Sequence, residues 1–177
     1  SQVKNITSLQ LPNTLISLNS SSFNLFPNLT ELTIPGSVKK FSASFQNMAK
    51  LQRLVFAEGV EELATGSMVN NCSSLTEIVL PDSLKRITGT ATFSGATELH
   101  TIELPEGVEI TQGSTFRGCS SLERITLPAS VSKITSSMFA SCTSLESVVA
   151  EGEISEIGRS AFDGWNMLLT VEGLENV

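Results

Sequence analysis

Residues 122–142, LERITLPASVSKITSSMFASC, form one copy of a unit that runs through the whole chain. With its leading leucine as position 0, copies start at Ile6, Leu29, Leu51, Leu75, Leu99, Leu122 and Leu145, in steps of 23, 22, 24, 24, 23 and 23 residues. Leu168 opens an eighth after another 23. A unit this short cannot bury its own apolar face, so a regular period in this range implies stacked copies that bury one another.

The columns of the repeat say which positions face inward. Position +3 reads Leu9, Leu32, Leu54, Ile78, Ile102, Ile125, Val148; +5 reads Leu11, Ile34, Phe56, Leu80, Leu104, Leu127, Ala150; +9 reads Leu15, Val38, Val60, Leu84, Val108, Val131, Ile154. Position +12 is apolar except at Thr111, and six residues before each start stand Phe23, Phe45, Val69, Phe93, Phe116, Phe139 and Phe162. Each ring can bury roughly 150–250 Å², so this aromatic column is expected to be the strongest ladder of the core. The copies differ in length between +12 and the aromatic column, which places the variation in a surface turn.

Positions +2 to +5 alternate outward and inward and read as a short strand. Proline follows at +6 in five of seven copies (Pro12, Pro35, Pro81, Pro105, Pro128), where its missing N–H ends the ladder. A second extended stretch carries +9 and +12, with a bend or bulge between them because a spacing of three is not a strand period. The segment from the aromatic residue to the column of Cys72, Cys119 and Cys142 suggests a single helical or 3-10 turn. The expected fold is a solenoid of about seven stacked repeats with a parallel sheet on its concave face and short turns elsewhere. It forms one domain over residues 1–177, and Val3 and Leu168 already fit the pattern at either end, so the chain reads as a piece of a longer array.

Among 177 residues the net charge is −7, which argues against nucleic acid or an anionic membrane as partner. No apolar run is long enough to span a membrane, and the expectation is that any export signal lies outside residues 1–177, since these show no basic stretch followed by an apolar one. The cysteines share a column with Phe26, Met48, Ala96 and Trp165, where a free thiol acts as a small hydrophobe. The chain has one histidine and no CxxC pair, so no metal site is expected.

The unit L-x-x-I-x-L-P-x-x-V-x-x-I-x-x-x-x-F-x-x-C resembles the leucine-rich repeat of the BspA-like surface proteins of bacteria, over residues 3–174. The related Ile-Gly-x-x-Ala-Phe signature is intact only at Ile157-Gly158-Arg159-Ser160-Ala161-Phe162. The resemblance implies a leucine-rich-repeat solenoid exposed on a bacterial surface or secreted, with a binding or adhesive role, a host or bacterial protein as partner and no shared catalytic residues.

Nothing ties a nucleophile to His100, at +1, so it reads as a surface residue. The sequons at Asn5, Asn19, Asn28 and Asn71 are expected to be silent, and Trp165 reads as a core filler. No catalytic residue or cofactor is expected. The binding candidates are the outward strand columns: Glu31, Arg53, Glu77, Thr101, Arg124 and Ser147 at +2, with Val55, Val79, Glu103 and Thr126 at +4. The expected function is a non-enzymatic, cell-surface protein-binding module. The alternative is a structural spacer or accessory domain of a larger secreted multidomain protein or hydrolase.

Overall fold

The computed structural model describes residues 5–18, 23, 25–165 and, for the backbone, 170–172; Val3, Asn19, Leu168 and Leu174 lie outside them. Its strands are β1 (Ser8–Leu9), β2 (Glu31–Ile34), β3 (Lys40–Phe41), β4 (Arg53–Phe56), β5 (Glu62–Leu63), β6 (Glu77–Val79), β7 (Arg86–Ile87), β8 (Glu109–Ile110), β9 (Arg124–Leu127), β10 (Lys133–Ile134), β11 (Ser147–Ala150), β12 (Glu156–Ile157) and β13 (Thr170–Glu172). All pairings are parallel and run from one copy of the unit to the next, as in Glu31↔Arg53↔Glu77 and Ile125↔Val148↔Val171. The chain is therefore a leucine-rich-repeat solenoid, and the sequence columns are its ladders.

Three faces close each layer. The strand face carries β1-β2-β4-β6 and β9-β11-β13, and a second face carries β3-β5-β7-β8 and β10-β12. The third is a turn face, where the aromatic-to-cysteine segment takes the form of consecutive turns, with Ala140 N–H bonded to Ser137 O and Cys142 N–H to Phe139 O. The next layer satisfies the remaining amides: Phe93 N–H donates to Thr115 O at 2.9 Å, Phe116 to Met138 O at 3.0 Å and Phe139 to Ala161 O at 2.8 Å. On the strand face donation runs the other way, as in Ala57 N–H to Ile34 O and Glu151 N–H to Leu127 O. Those are the two copies without proline at +6, so the proline column costs a ladder bond wherever it occurs.

The turn face also explains why the loops are rich in serine. Two residues before the aromatic column in the third to seventh copies, Ser67, Ala91, Ser114, Ser137 and Ser160 all have positive φ, between 49° and 61°. Two residues after it, Asn47, Asn71, Gly95, Gly118, Ser141 and Gly164 do the same. Small or Asx-like residues tolerate this left-handed region, which penalises bulkier ones.

The core follows the columns with two adjustments. Phe93, Phe116, Phe139 and Phe162 stack at centroid separations of 5.6, 5.6 and 5.8 Å. Val69 interrupts this stack, and below it Phe41, from the +12 column, stacks on Phe45 at 5.3 Å and meets Phe56 edge-on at 5.2 Å. Second, the inward residue of the fifth copy is Ile110 rather than Thr111: Ile110 is buried, Thr111 exposed, and Ile87 pairs with Ile110. The fifth copy thus spends one residue fewer between Val108 and its second strand, so length variation is not confined to the turn. At the last described layers Ile157 keeps 39% exposure.

The cysteine column is more than a hydrophobic filler. Cys72 Sγ donates to Phe45 O at 3.0 Å, Cys119 Sγ to Phe93 O at 3.3 Å and Cys142 Sγ to Phe116 O at 3.1 Å. Trp165 Nε1 makes the same bond to Phe139 O at 3.0 Å and packs on Phe162. Each of these side chains caps a carbonyl of the preceding layer. All three thiols are free and buried.

Candidate functional site

The strand face projects the +2 and +4 columns outward, because period-two alternation sends +3 and +5 into the core. Its charges are not equivalent. Arg53 sits between two carboxylates, with Nη1 2.6 Å from Glu31 Oε1 and Nε 2.8 Å from Glu77 Oε2. The first half of the face is a closed ion triad flanked by the half-buried Val55 and Val79. In the second half, Thr101, Glu103, Arg124 and Thr126 are exposed, and neither Glu103 nor Arg124 has an ion-pair partner among the described residues.

The face is also split. No strand forms at residues 101–105, so β6 and β9 are not joined into one sheet. A cleft of about 370 Å³ opens between the fifth and sixth layers, floored by Ile102, Leu104 and Pro128 and rimmed by Glu103, Glu106, Arg124 and Glu151. A second of about 250 Å³ opens on the other side of the fifth layer, between Glu77 and Glu103. Another, of about 400 Å³, lies across Ser8, Glu31 and Thr33, where Glu31 is already engaged by Arg53.

Glu106 and Glu151 come together across the cleft between the fifth and sixth layers. Partial loss of water, then the charge and hydrogen bond of Glu151, hold the Glu106 carboxyl above its usual range. The column reading missed this pair because Glu106 and Glu151 stand in the turn after +5, two layers apart, with the short Ala129 between them.

The other candidates stay apart. His100 Nδ1 lies 2.9 Å from the carbonyl of its own turn at Glu98. Among the described residues no His, Cys, Asp and Glu cluster could hold a metal ion, and no helix is long and apolar enough to cross a membrane. The second face carries the denser ion network: Glu61 between Lys39 and Lys85, Glu62 between Lys40 and Arg86, and Lys133 on Glu156. Glu109 pairs in the ladder with Arg86 but has no strand opposite Lys133, so the ladder of opposite charges is interrupted between the fifth and sixth layers and resumes at Lys133–Glu156.

A profile of the BspA type leucine rich repeat region, in six copies, matches residues 1–91 and 66–177. The chain belongs to the BspA-type leucine-rich-repeat family. Solved structures agree with this BspA-type fold. A T. pallidum leucine-rich repeat protein matches with TM-score 0.72 and 26% identity, over 81% of this chain and 67% of its own. A leucine-rich repeat protein from Bacteroides ovatus matches with TM-score 0.72 and 28% identity, over 84% of this chain and 38% of its own. The pneumococcal vaccine antigen PcpA matches with TM-score 0.63 and 25% identity, over 80% of this chain and 34% of its own. The BspA-type array thus spans little more than a third of the last two. No curated protein matches it in sequence.

Proposed function

We propose that this BspA-type array is a non-enzymatic binding module displayed on a bacterial surface, which contacts a protein partner through the outward strand columns. The observation that carries this reading is the contrast within the strand face. Glu31, Arg53 and Glu77 satisfy one another, whereas Glu103, Arg124, Thr126 and the clefts beside them are uncommitted. A protein partner fits better than a sugar, because the strip offers no aromatic platform. Without Tyr or Trp anchors the affinity of one module is moderate and gains from multivalent display. Display on a cell surface is supported by the family and by the vaccine-antigen role that its pneumococcal neighbour's name states for that protein.

A spacer role is the second reading, favoured by the small share of the Bacteroides ovatus and pneumococcal chains that the array spans. Capture of surface-protein partners on the immobilised chain, followed by titration, separates the two. Arg124→Glu and Glu103→Lys are expected to weaken saturable binding about tenfold or more, roughly 1.4 kcal/mol, and Glu156→Lys on the second face is expected to leave it unchanged. Equal losses in all three would remove the strand face as the contact surface; no saturable partner would leave the spacer.

A further inference from the structure

The fifth layer breaks the solenoid on some faces and not on others. Between the sixth and seventh layers every face is paired: β9 with β11, β10 with β12, and Phe139 N–H with Ala161 O. Between the fourth and fifth, the second face (β7 with β8) and the turn face remain, but no backbone hydrogen bond joins residues 101–104 to β6. Between the fifth and sixth the loss is larger. The strand face keeps one backbone bond, Glu123 N–H to His100 O at 3.1 Å. The second face keeps only side-chain bonds, Ser130 Oγ to Val108 O and Thr135 Oγ1 to Gln112 O. The turn face is intact, with Ser114, Phe116 and Gly118 N–H donating to Ser136, Met138 and Ala140 O at 2.8, 3.0 and 2.8 Å. Behind it the Phe93–Phe116–Phe139 stack is unbroken.

The repeat lengths change at the same place. The third and fourth copies are 24 residues long and the fifth to seventh are 23. The 22-residue second copy takes up its difference in the turn before Phe45 and keeps its ladders. The fifth takes up its difference inside the second face, between Val108 and Ile110. Its β8 lies in register with the layer before it, and no pairing joins β8 to β10 in the layer after it.

From this we infer that the array is jointed at its fifth repeat: the two halves rock about an axis along the turn face and the phenylalanine stack, and the strand face opens and closes at Thr101–Leu104. The amides and carbonyls there are bonded to neither neighbour, and the clefts on both sides admit the water that satisfies them. Few backbone bonds across a junction mean a low free energy of local opening, while the buried Leu99, Ile102 and Leu122 keep the core continuous. The joint lets the strand face change its curvature, and it stands on backbone pairing alone, whether or not that face binds a partner.

Two measurements on the folded chain test it. In amide exchange, residues 101–104 are expected to exchange about 100-fold or more faster than Leu54, Val55 and Val148, with Phe116 and Gly118 protected. Protection of residues 101–104 equal to that of β4 would overturn the joint. Spin labels then separate a moving joint from a static gap. Val55→Cys with Val149→Cys on the strand face, and Asn70→Cys with Asp163→Cys on the turn face, each span four layers, about 19 Å at about 4.8 Å per strand. The native thiols are buried and stay unlabelled in the folded chain. The strand-face distance distribution is expected to be at least about twice as broad as the turn-face one, and a serine inserted between Val108 and Glu109 is expected to narrow it. Equal widths on the two faces in the parent chain would overturn the joint even if the amides exchange fast.

Discussion

Single residues in this chain are chosen for what they do to the layer before them. Cys119 and Trp165 differ in size and chemistry, yet each supplies a second donor to a phenylalanine carbonyl that already accepts a turn N–H, from Ala96 and from Cys142. Trp165→Phe keeps an aromatic ring and removes the donor while Phe139 O retains the Cys142 N–H, so it is expected to cost about 0.5–1.5 kcal/mol, read from the urea midpoint; a loss of a few tenths would mean that water replaces the indole. Cys119→Ala removes the second donor to Phe93 O, which keeps the Ala96 N–H, and is expected to cost about 0.5–1.5 kcal/mol for the bond beside the lost packing of the thiol. The thiols should be silent to a thiol reagent in the folded protein, and three should titrate in denaturant.

At the scale of the ladder, each element depends on identical neighbours above and below. Phe116 is flanked at 5.6 Å on both sides, so Phe116→Ala is expected to cost roughly 3–5 kcal/mol, checked by thermal or urea unfolding. A shift of a degree or two in Tm would contradict the stack. The ion ladder of the second face is weaker, because its members are solvated. Lys133→Glu sets two carboxylates face to face where Lys133 now lies 2.8 Å from Glu156, and is expected to lose about 0–1 kcal/mol, less in high salt. Glu62 is the better-held member, with Lys40, Arg86 and Thr88 all bonded to a side chain only 13% exposed. Glu62→Gln is expected to cost about 1 kcal/mol by the same measurement.

For the whole molecule the titrating groups bracket the stable range. Hydrogen bonds and charge from Lys85, from Lys40 and from Lys133 hold Glu61, Glu62 and Glu156 below their usual values. Their contribution is present above the ordinary carboxylate pKa, near 4.3, and is lost as pH falls through the lower folded values. Burial acts oppositely on the thiols, pushing Cys72 up to about 11 and Cys142 up to about 12, with Cys119 displaced in the same direction. The unfolded chain releases those protons near pH 8.5 and the folded chain does not, so stability is full below that pH and falls as pH rises towards the folded values. The urea midpoint is expected to be flat between about pH 5 and 8 and to fall on both sides. Replacing the three cysteines by alanine should flatten the alkaline limb; an unchanged limb would assign it to other groups. Glu106→Gln, which relieves the Glu106–Glu151 repulsion, should raise the midpoint slightly at pH 7.

The sequence by itself determined the solenoid, its register and its inward columns. A side chain in a stacked array meets its own column in the next layer, so Leu32, Leu54 and Ile78 could be placed together without coordinates. The same logic made Glu31, Arg53 and Glu77 neighbours, though not the 2.6 and 2.8 Å bonds that close them into a triad. Only the tertiary structure decided which position of the fifth copy turns inward, because Ile110 and Thr111 both follow Val108 and only pairing with Ile87 selects between them. It alone split the strand face at Thr101–Leu104, brought Glu106 to Glu151 and turned the cysteine column into a row of carbonyl caps. Columns record which residues share a height in the stack. They carry no record of whether neighbouring layers pair, and that depends on how each turn spends its residues.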